Sequence, residues 1–282
     1  ITNHYIDIIK RVVLPSSTIK KMNKEKESAD TGEILVHPGS RNMINEAFRI
    51  LRTNLEFVTK NHSGNVIEVT SFNPGSGKSF IAKNIAACLS LKKFSVLLVD
   101  GDLRHASVSK VVGSPKVGLS DYLAGKVDDL DSLAVKANLF DNLSVLPVGT
   151  IPPNPTELIA EDKFKQTIEH LKAQYDYVII DCPPVDIVAD AQIVGDVADS
   201  TIFIVRANLL ERDILADLEN LYKEQKFKNM SMVLNGTTSD GHGHYGYHYG
   251  YHYGYHYGYH YGYHYGYHYG YGYHYHNDDE SE

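Results

Sequence analysis

Cysteine is scarce in this sequence and long apolar runs are absent. The 282 residues include only two cysteines, Cys88 and Cys182, both in apolar surroundings, which is typical of a reducing compartment rather than of a disulfide framework. No run of about 18 apolar residues occurs, so no segment is predicted to span a bilayer, and no signal peptide is predicted either. Because the chain begins at Ile1 rather than at methionine, we expect it to be a fragment of a longer protein.

The sequence also lacks an excess of positive charge. The formal net charge is −8 with histidine counted as neutral, whereas a nucleic-acid-binding protein would normally present a basic face, so no nucleic-acid partner is predicted. Residues 241–282 differ in composition from the rest. Leaving them out still leaves about 240 residues, enough for one domain with a substantial core.

Residues 241–282 contain no valine, leucine or isoleucine and consist mainly of tyrosine, histidine and glycine, with ten of the 15 histidines of the chain. Without aliphatic side chains this segment has little surface to bury, and its glycines add backbone entropy, so we predict a disordered low-complexity tail. Tyrosine occupies every odd position of one long run: Tyr245, Tyr247, Tyr249, Tyr251, Tyr253, Tyr255, Tyr257, Tyr259, Tyr261, Tyr263, Tyr265, Tyr267, Tyr269, Tyr271, Tyr273 and Tyr275.

Segments typical of strands and helices alternate ahead of the tail. The predicted strands are residues 65–71, 94–100, 143–148, 177–181, 200–205 and 230–234, and the predicted helices are 45–57, 78–91, 162–174 and 209–224. Near-continuous apolar strands are expected where helices cover both faces of a sheet. We therefore predict an α/β fold with a doubly wound, mostly parallel sheet. This domain would span residues 36–240 and follow a linker or arm over residues 1–35.

A glycine-rich loop, Phe72–Ser79, joins the first predicted strand to the helix after it. Glycines allow backbone N–H groups to wrap around a phosphate, and the helix N-terminus adds its positive dipole. Lys78 is predicted to reach the β- and γ-phosphates of ATP, and Ser79 to ligate Mg²⁺, as in a P-loop NTPase fold. The usual motif has glycine at the position of Phe72. The residues predicted to bind the nucleotide in this loop are Gly75, Ser76, Gly77, Lys78, Ser79 and Phe80.

Carboxylates end two other apolar strands. Asp100 and Asp102 close one of them, followed by Arg104, and Asp181 closes the other in front of two prolines. Carboxyl ends of strands face the ligand crevice in such sheets, where a carboxylate can hold Mg²⁺ or accept a proton from an incoming hydroxyl. Cys182 is predicted to be a plain buried thiol, because Mg²⁺ prefers oxygen ligands.

Together these features resemble the bacterial tyrosine kinases (BY-kinases), which regulate capsular and extracellular polysaccharide synthesis. The resemblance runs from about Ser40 to the C-terminus. It rests on the phosphate loop, the Val-Asp-Gly-Asp-Leu-Arg strand end, the Asp181 strand with its prolines, and the tyrosine cluster. The phrase Pro147–Ile159 and a predicted helix with the pattern Glu46-x-x-Arg49-x-x-Arg52 are also similar to that family.

The resemblance implies roles for individual residues. Lys78 and the loop around it would bind the triphosphate, Asp100 would activate the tyrosine hydroxyl, and Ser79, Asp102 and Asp181 would hold the Mg²⁺. Arg104 would position phosphate or substrate. Asn235 resembles the residue that reads adenine, although an Asn-Gly pair is otherwise an ordinary turn signal.

The resemblance also implies partners. Glu46, Arg49 and Arg52 would pack against the neighbouring subunit of a homo-oligomeric ring, and the tail tyrosines would be the neighbour's phospho-acceptors. Further expected partners are a membrane-embedded upstream region or separate activator and a cognate tyrosine phosphatase. The expected location is the cytoplasmic side of the bacterial inner membrane, with the fragment itself soluble.

Alternatives from other classes remain. ParA/MinD-like positioning ATPases share both aspartate motifs, but their additional phosphate-loop lysine falls at the position of Asn73. A nucleotide-switched ATPase without kinase activity is the main alternative. The tail imidazoles could instead bind Zn²⁺ or Ni²⁺, and the tail could self-associate through its aromatic rings.

Overall fold

One sheet, covered by helices on both faces, organises the part of the chain that this computed structural model describes, residues 34–60, 65–185 and 189–237. Within these residues seven strands lie in the order β3-β4-β2-β5-β1-β6-β7. The strands are β1 (Val66–Ser71), β2 (Val96–Asp100), β3 (Val135–Lys136), β4 (Leu143–Leu146), β5 (Tyr177–Asp181), β6 (Ser200–Arg206) and β7 (Ser231–Asn235). Neighbouring strands are parallel except β3 and β4, which are antiparallel. The predicted fold class is confirmed.

The helices precede β1 or lie in the connections between strands. They are α1 (Met43–Lys60), α2 (Lys78–Ser90), α3 (Leu119–Leu123), α4 (Pro155–Ala160), α5 (Asp162–Gln174), α6 (Asp190–Val197) and α7 (Ile214–Lys223). Short 3-10 helices span Ser109–Val112 and Asp131–Leu133. Because the central strands are parallel, their carboxyl ends lie at one edge of the sheet, and the loops at that edge form the candidate site.

The core has two layers, one on each face of the sheet. Val96 and Leu98 of β2 are buried on the side that carries α1 and α2, whereas Leu97 and Val99 are buried against α5 and α6. Side chains alternate between faces along a strand, so both sets of apolar residues are needed to cover the sheet. Phe48 of α1 is fully buried in the layer on the α1 and α2 side. Its ring packs edge to face against the Phe80 ring, with the ring centroids 5.8 Å apart.

Element bounds differ from the sequence prediction where a local signal interrupts the pattern. The strand predicted to reach residue 148 ends at Leu146, because Pro147 has no N–H to donate to a ladder. The helix predicted from residue 209 begins at Ile214, after a turn in which Asn208 has a φ of 62°. Helices α3, α4 and α6, of 5, 6 and 8 residues, were not predicted because such short segments give little periodic pattern.

The chain divides into two units, Ile1–Thr238 and Ser239–Glu282, and every described residue belongs to the first. The predicted linker up to residue 33 and the predicted tail, with all sixteen acceptor tyrosines, lie outside the described residues. Among the helices of the described part, none is long and apolar enough to cross a membrane.

Candidate functional site

The loop between β1 and α2 has the backbone of a phosphate-binding loop. Gly75 and Gly77 adopt positive φ angles of 73° and 96°, a region that glycine enters without strain. The Ser76 hydroxyl donates to the Asn73 carbonyl at 2.8 Å and closes the turn. Helix α2 begins at Lys78 without an acidic residue in its first turn, so its free N–H groups and positive dipole favour an anion.

Two side chains, from the ends of β6 and β7, hold this loop in place. Arg206, at the end of β6, donates from Nη1 to the Gly75 carbonyl at 2.6 Å. Asn235, at the end of β7, donates from Nδ2 to the Ser76 carbonyl at 2.8 Å. A side chain at position 77 would overlap the Asn235 amide nitrogen. The loop therefore depends on contacts between segments that are distant in the sequence.

The predicted adenine contact of Asn235 is limited by this arrangement. Its amide nitrogen is used by the phosphate loop, and its Oδ1 is buried without a hydrogen-bond partner among the described residues. The oxygen and the second N–H of the amide are left for a base. The Phe80 ring packs into the core against α1, so a contact of Phe80 with the nucleotide would come from its backbone N–H.

Asp100 and Asp181 lie opposite each other in the register of β2 and β5. Both are fully buried, and neither Asp181 oxygen has a hydrogen-bond partner within the described residues. Burial raises the pKa of Asp181 to about 7, and the Asp100 charge adds to the increase, whereas the nearby Ser79 hydroxyl and Lys78 ammonium oppose it. The sheet therefore places two buried carboxylates next to the phosphate loop.

The Asp100 carboxylate is held through one oxygen. Its Oδ2 accepts hydrogen bonds from the Ser109 N–H and from the Ser109 hydroxyl, both at 2.7 Å, while Oδ1 has no partner in the described part of the chain. Burial raises the pKa of Asp100 to about 6, and the bonds from Ser109 oppose the increase. At neutral pH Asp100 is mainly ionised and can accept a proton.

Asp102 lies at the same edge but is engaged with its own turn. Its Oδ1 accepts the N–H groups of Arg104 and His105, each at 3.2 Å, and the His105 ring nitrogen Nδ1 is 3.1 Å from Oδ2. A role as a Mg²⁺ ligand would require Asp102 to share its oxygens with these groups.

Arg104 contacts two helices that were not predicted. Its Nη2 donates to the Thr156 hydroxyl of α4 at 2.9 Å and is 3.6 Å from Oδ2 of Asp190, a fully buried carboxylate at the start of α6. The Thr156 hydroxyl donates to the other Asp190 oxygen at 2.6 Å. Sequence reasoning identified Arg104 but not Thr156, Asp190, Ser109 or Arg206, because nothing in their local sequence marks these long-range contacts.

The three residues predicted for the subunit interface lie apart from this site, on α1. Glu46 is exposed and pairs with Arg49, which is half-buried and also donates to the Ser40 carbonyl at 3.1 Å. Arg52 is only 20% exposed and turns inward, with its Nε 3.2 Å from Glu56 Oε1 and a bond of 3.4 Å to the Cys88 carbonyl of α2. Arg52 is drawn toward α2 by these two contacts, although a spacing of three residues places it beside Arg49 on the helix surface.

The residues at the carboxyl edge fit ATP and Mg²⁺. The loop supplies N–H groups and Lys78 for phosphates, and Asp181 and Ser79 supply oxygen donors for a hard cation. Within the described ranges no three His, Cys, Asp or Glu side chains converge on one point. A cation there would need phosphate oxygens as further ligands, which is how Mg²⁺ is commonly held beside nucleotides.

Comparison with known proteins gives a consistent result. A family model described as an AAA domain matches residues 64–231. The chain is 33% identical over 227 residues to tyrosine-protein kinase YwqD of Bacillus subtilis, covering 80% of this chain and 95% of that protein. It is 34% identical over 235 residues to tyrosine-protein kinase wzc of Salmonella typhimurium, covering 82% of this chain and 32% of that protein.

The fold agrees with the sequence matches. The solved kinase domain of the Escherichia coli tyrosine kinase ETK superposes with a TM-score of 0.71 at 29% identity, covering 85% of this chain and 93% of that one. The chain thus spans nearly all of the Bacillus relative and about a third of the Salmonella relative. The phosphate loop and the paired carboxylates lie at the sequence motifs on which the resemblance to the bacterial tyrosine kinases rests. That resemblance is confirmed: the chain belongs to the AAA domain family and, within it, to the bacterial tyrosine-protein kinases.

Proposed function

We propose that this kinase transfers the γ-phosphoryl group of ATP to the tyrosines Tyr245–Tyr275 of a neighbouring copy of the chain. The observation that carries the proposal is Oδ1 of Asp100, which has no hydrogen-bond partner among the described residues and belongs to a buried, mainly ionised carboxylate at the edge that holds the phosphate loop. A carboxylate in this position can take the proton of an incoming hydroxyl. The tail supplies sixteen phenols in the same chain.

The transfer requires the loss of a proton, because a tyrosine phenol has a pKa near 10. The phenol oxygen forms a bond to the γ-phosphorus while the bond from that phosphorus to the bridging oxygen of ADP breaks. ADP leaves with the electron pair, and Asp100 accepts the phenol proton. Lys78 and the loop N–H groups orient the phosphates and offset their negative charge.

A bound Mg²⁺ would neutralise charge on the β- and γ-phosphate oxygens during transfer. Asp181 and Ser79 are the residues we assign to hold it, and Asp102 is a further candidate ligand. Asn235 would fix the position of the loop and offer its Oδ1 to the base, and Arg104 would position phosphate or the acceptor.

The Glu46–Arg49 ion pair lies on the surface of α1, where a neighbouring subunit would meet it, and this position supports an assembly of several copies. Arg52 would act within the subunit by anchoring α1 to α2. Sixteen acceptors on one tether raise the local phenol concentration to the order of millimolar, which would offset weak selectivity for any one of them.

Each phosphate adds a charge of about −1.5 to −2, so a heavily modified tail should repel its neighbours and favour dissociation of the ring. A cognate phosphatase would restore the unmodified tail. With an upstream membrane region or a separate membrane activator, this cycle would regulate polysaccharide polymerisation and export at the cytoplasmic side of the inner membrane.

The test uses two full-length chains. Unlabelled wild-type chain is mixed with ¹⁵N-labelled Lys78→Met chain, ATP and Mg²⁺, and tail peptides are examined by mass spectrometry. Phosphotyrosine on the heavy peptides is expected, because Lys78→Met cannot modify itself but can be modified in trans. Phosphate on light peptides alone would contradict transfer between copies. ATP hydrolysis with no phosphotyrosine on either chain would favour a nucleotide-switched ATPase. A heavy Asp100→Ala chain incubated alone should stay unmodified.

A further inference from the structure

Ser109 has no part in the roles described so far, yet it is the residue that contacts the Asp100 carboxylate. It begins the 3-10 helix Ser109–Val112, nine residues after Asp100, and is 2% exposed. Its N–H and its hydroxyl both reach the same oxygen, Oδ2, at 2.7 Å. A single residue therefore saturates one side of the carboxylate.

The direction of the hydroxyl bond is determined by a third group. The N–H of Val148 donates to the Ser109 hydroxyl oxygen at 2.9 Å. Because an N–H can only donate, the hydroxyl oxygen is the acceptor there, and its own hydrogen is left to point at Asp100. The arrangement is a directed chain from Val148 N–H through Ser109 to Asp100.

The segment that contains Val148 is itself fixed by backbone contacts. The N–H groups of Leu119 and Ser120 donate to the carbonyls of Pro147 and Val148 at 2.8 and 3.0 Å. A Cβ on Gly118 would come within 2.6 Å of the Val148 carbonyl carbon, so the two backbones are in direct contact. The position of the Val148 N–H is thus set by packing against the start of α3, which limits how far Ser109 can move.

The consequence falls on the other oxygen of Asp100. With Oδ2 bound twice, the carboxylate cannot rotate without breaking both bonds, and Oδ1 is left without a partner among the described residues. We propose that Ser109 is a positioning residue for phosphoryl transfer, which fixes the Asp100 carboxylate so that Oδ1 meets the acceptor hydroxyl. This inference rests on the proposed function, in which Asp100 takes the phenol proton.

The sequence phrase Pro147–Ile159 helps to position the side chains at the end of β2. Val148 near its start holds Asp100 through Ser109, and Thr156 near its end accepts a hydrogen bond from Arg104. Both ends of the phrase support side chains of the Asp100–Arg104 strand end, and within the described residues its hydrogen bonds do not reach the phosphate loop. Loss of Ser109 should therefore affect the chemical step and leave ATP binding intact.

The experiment compares full-length Ser109→Ala with wild type, measuring the initial rate of tail phosphotyrosine formation against ATP concentration. We expect kcat to fall about 10- to 100-fold, because a displacement of about 1 Å can cost about 100-fold in rate. The KM for ATP should stay within about twofold of wild type. Ser109→Thr keeps a hydroxyl and should recover most of the rate.

Ser90→Ala is the matched control. Ser90 is also buried, and its hydroxyl donates to the Ala87 carbonyl at 2.8 Å, but it lies at the far end of α2 from the phosphate loop. Removing this hydroxyl deletes a similar bond and should leave kcat within about twofold. If Ser109→Ala unfolds at the assay temperature, Ser109→Cys replaces it, since its thiol fills the space but donates weakly, and the same loss of kcat is expected.

A Ser109→Ala enzyme with wild-type kcat would overturn this inference but not the proposed function. So would a variant that keeps kcat and loses ATP affinity, since this would assign Ser109 to nucleotide binding. The absence of phosphotyrosine in the wild-type chain would instead overturn the proposed function, and the inference with it. The wild-type reaction run beside the variants distinguishes these outcomes.

Discussion

Asp100 and Asp181 are paired in the register of β2 and β5, so two buried carboxylates lie side by side at the edge where the phosphate loop begins α2. Burying charge without a close counter-ion is unfavourable, and the raised pKa of Asp181, about 7, reflects this. These two carboxylates, of which Asp181 would hold Mg²⁺, therefore destabilise the fold when no cation is bound.

Asp181→Asn should stabilise the nucleotide-free protein at pH 8 while removing kinase activity. The folded-state pKa of about 7 exceeds the ordinary value of 3.8, so between these pH values the unfolded chain has lost a proton that the folded chain keeps. Stability therefore falls as pH rises through this window and stays low above it. We expect Asp181→Asn to gain about 1–3 kcal/mol at pH 8 and little at pH 4.

Thermal unfolding at both pH values measures this effect. Asp128→Asn, which removes an exposed carboxylate, is the control and should change the midpoint little at either pH. An Asp181→Asn midpoint shift that is equal at pH 4 and pH 8 would show that burial of charge is not the cause.

Arg206→Ala should weaken ATP binding more than it slows transfer. The Arg206 guanidinium holds the Gly75 carbonyl, so its loss frees the start of the phosphate loop without touching Asp100. A hydrogen bond from a charged group contributes about 1.5–3 kcal/mol, which corresponds to a rise in the KM for ATP of about 10-fold or more. Arg212→Ala, an exposed arginine beyond the end of β6, should leave the KM unchanged. If both variants had the same KM for ATP, Arg206 would not support the phosphate loop.

Arg49→Glu and Arg52→Ala should separate assembly from stability. The Arg49 side chain lies at the surface and is 39% exposed, so reversing its charge should reduce self-association, measured by sedimentation, with little change in unfolding temperature. Arg52 is bound to Glu56 and to the Cys88 carbonyl, so its loss should lower the unfolding temperature by loosening α1 from α2. Lys165→Glu, a charge reversal at an exposed position of α5, is the control for Arg49. If Arg49→Glu assembled as well as wild type, Arg49 would not belong to the subunit interface.

Glu68→Gln should stabilise the protein increasingly as pH rises. Glu68 lies fully buried in β1, and burial raises its pKa to about 8, although bonds with the Thr201 hydroxyl and the Cys182 thiol oppose the increase. From about pH 4.5 to pH 8 the unfolded chain is ionised while the folded chain keeps the proton, so stability contributed by this group is lost over that range.

The glutamine should therefore raise the unfolding temperature at pH 8 and have little effect near pH 4.5. Glu169→Gln removes an exposed charge on α5 and serves as the control. A constant difference between Glu68→Gln and wild type at all pH values would contradict the explanation.

The parts of the fold and site that follow local rules could be predicted from sequence. The apolar strands, the glycine-rich loop and the aspartates at strand ends each carry their signal within a few residues. The side chains that hold these groups could not be predicted, because Ser109 and Arg206 act across contacts that form only when distant segments pack. For the same reason Arg52 was grouped with Arg49, although packing against α2 turns it inward. The tail acceptors remain predictions, since they lie outside the described residues.

The contact between Gly77 and Asn235 links two positions that are far apart in the chain. Position 77 must be glycine both for its backbone angle and because the Asn235 amide occupies the space of a side chain. Asn235 in turn loses its hydrogen bond to the Ser76 carbonyl if the backbone at 76 and 77 moves. A designer who grafts this phosphate loop onto another parallel sheet would therefore have to transfer the end of β7 with it, as one unit.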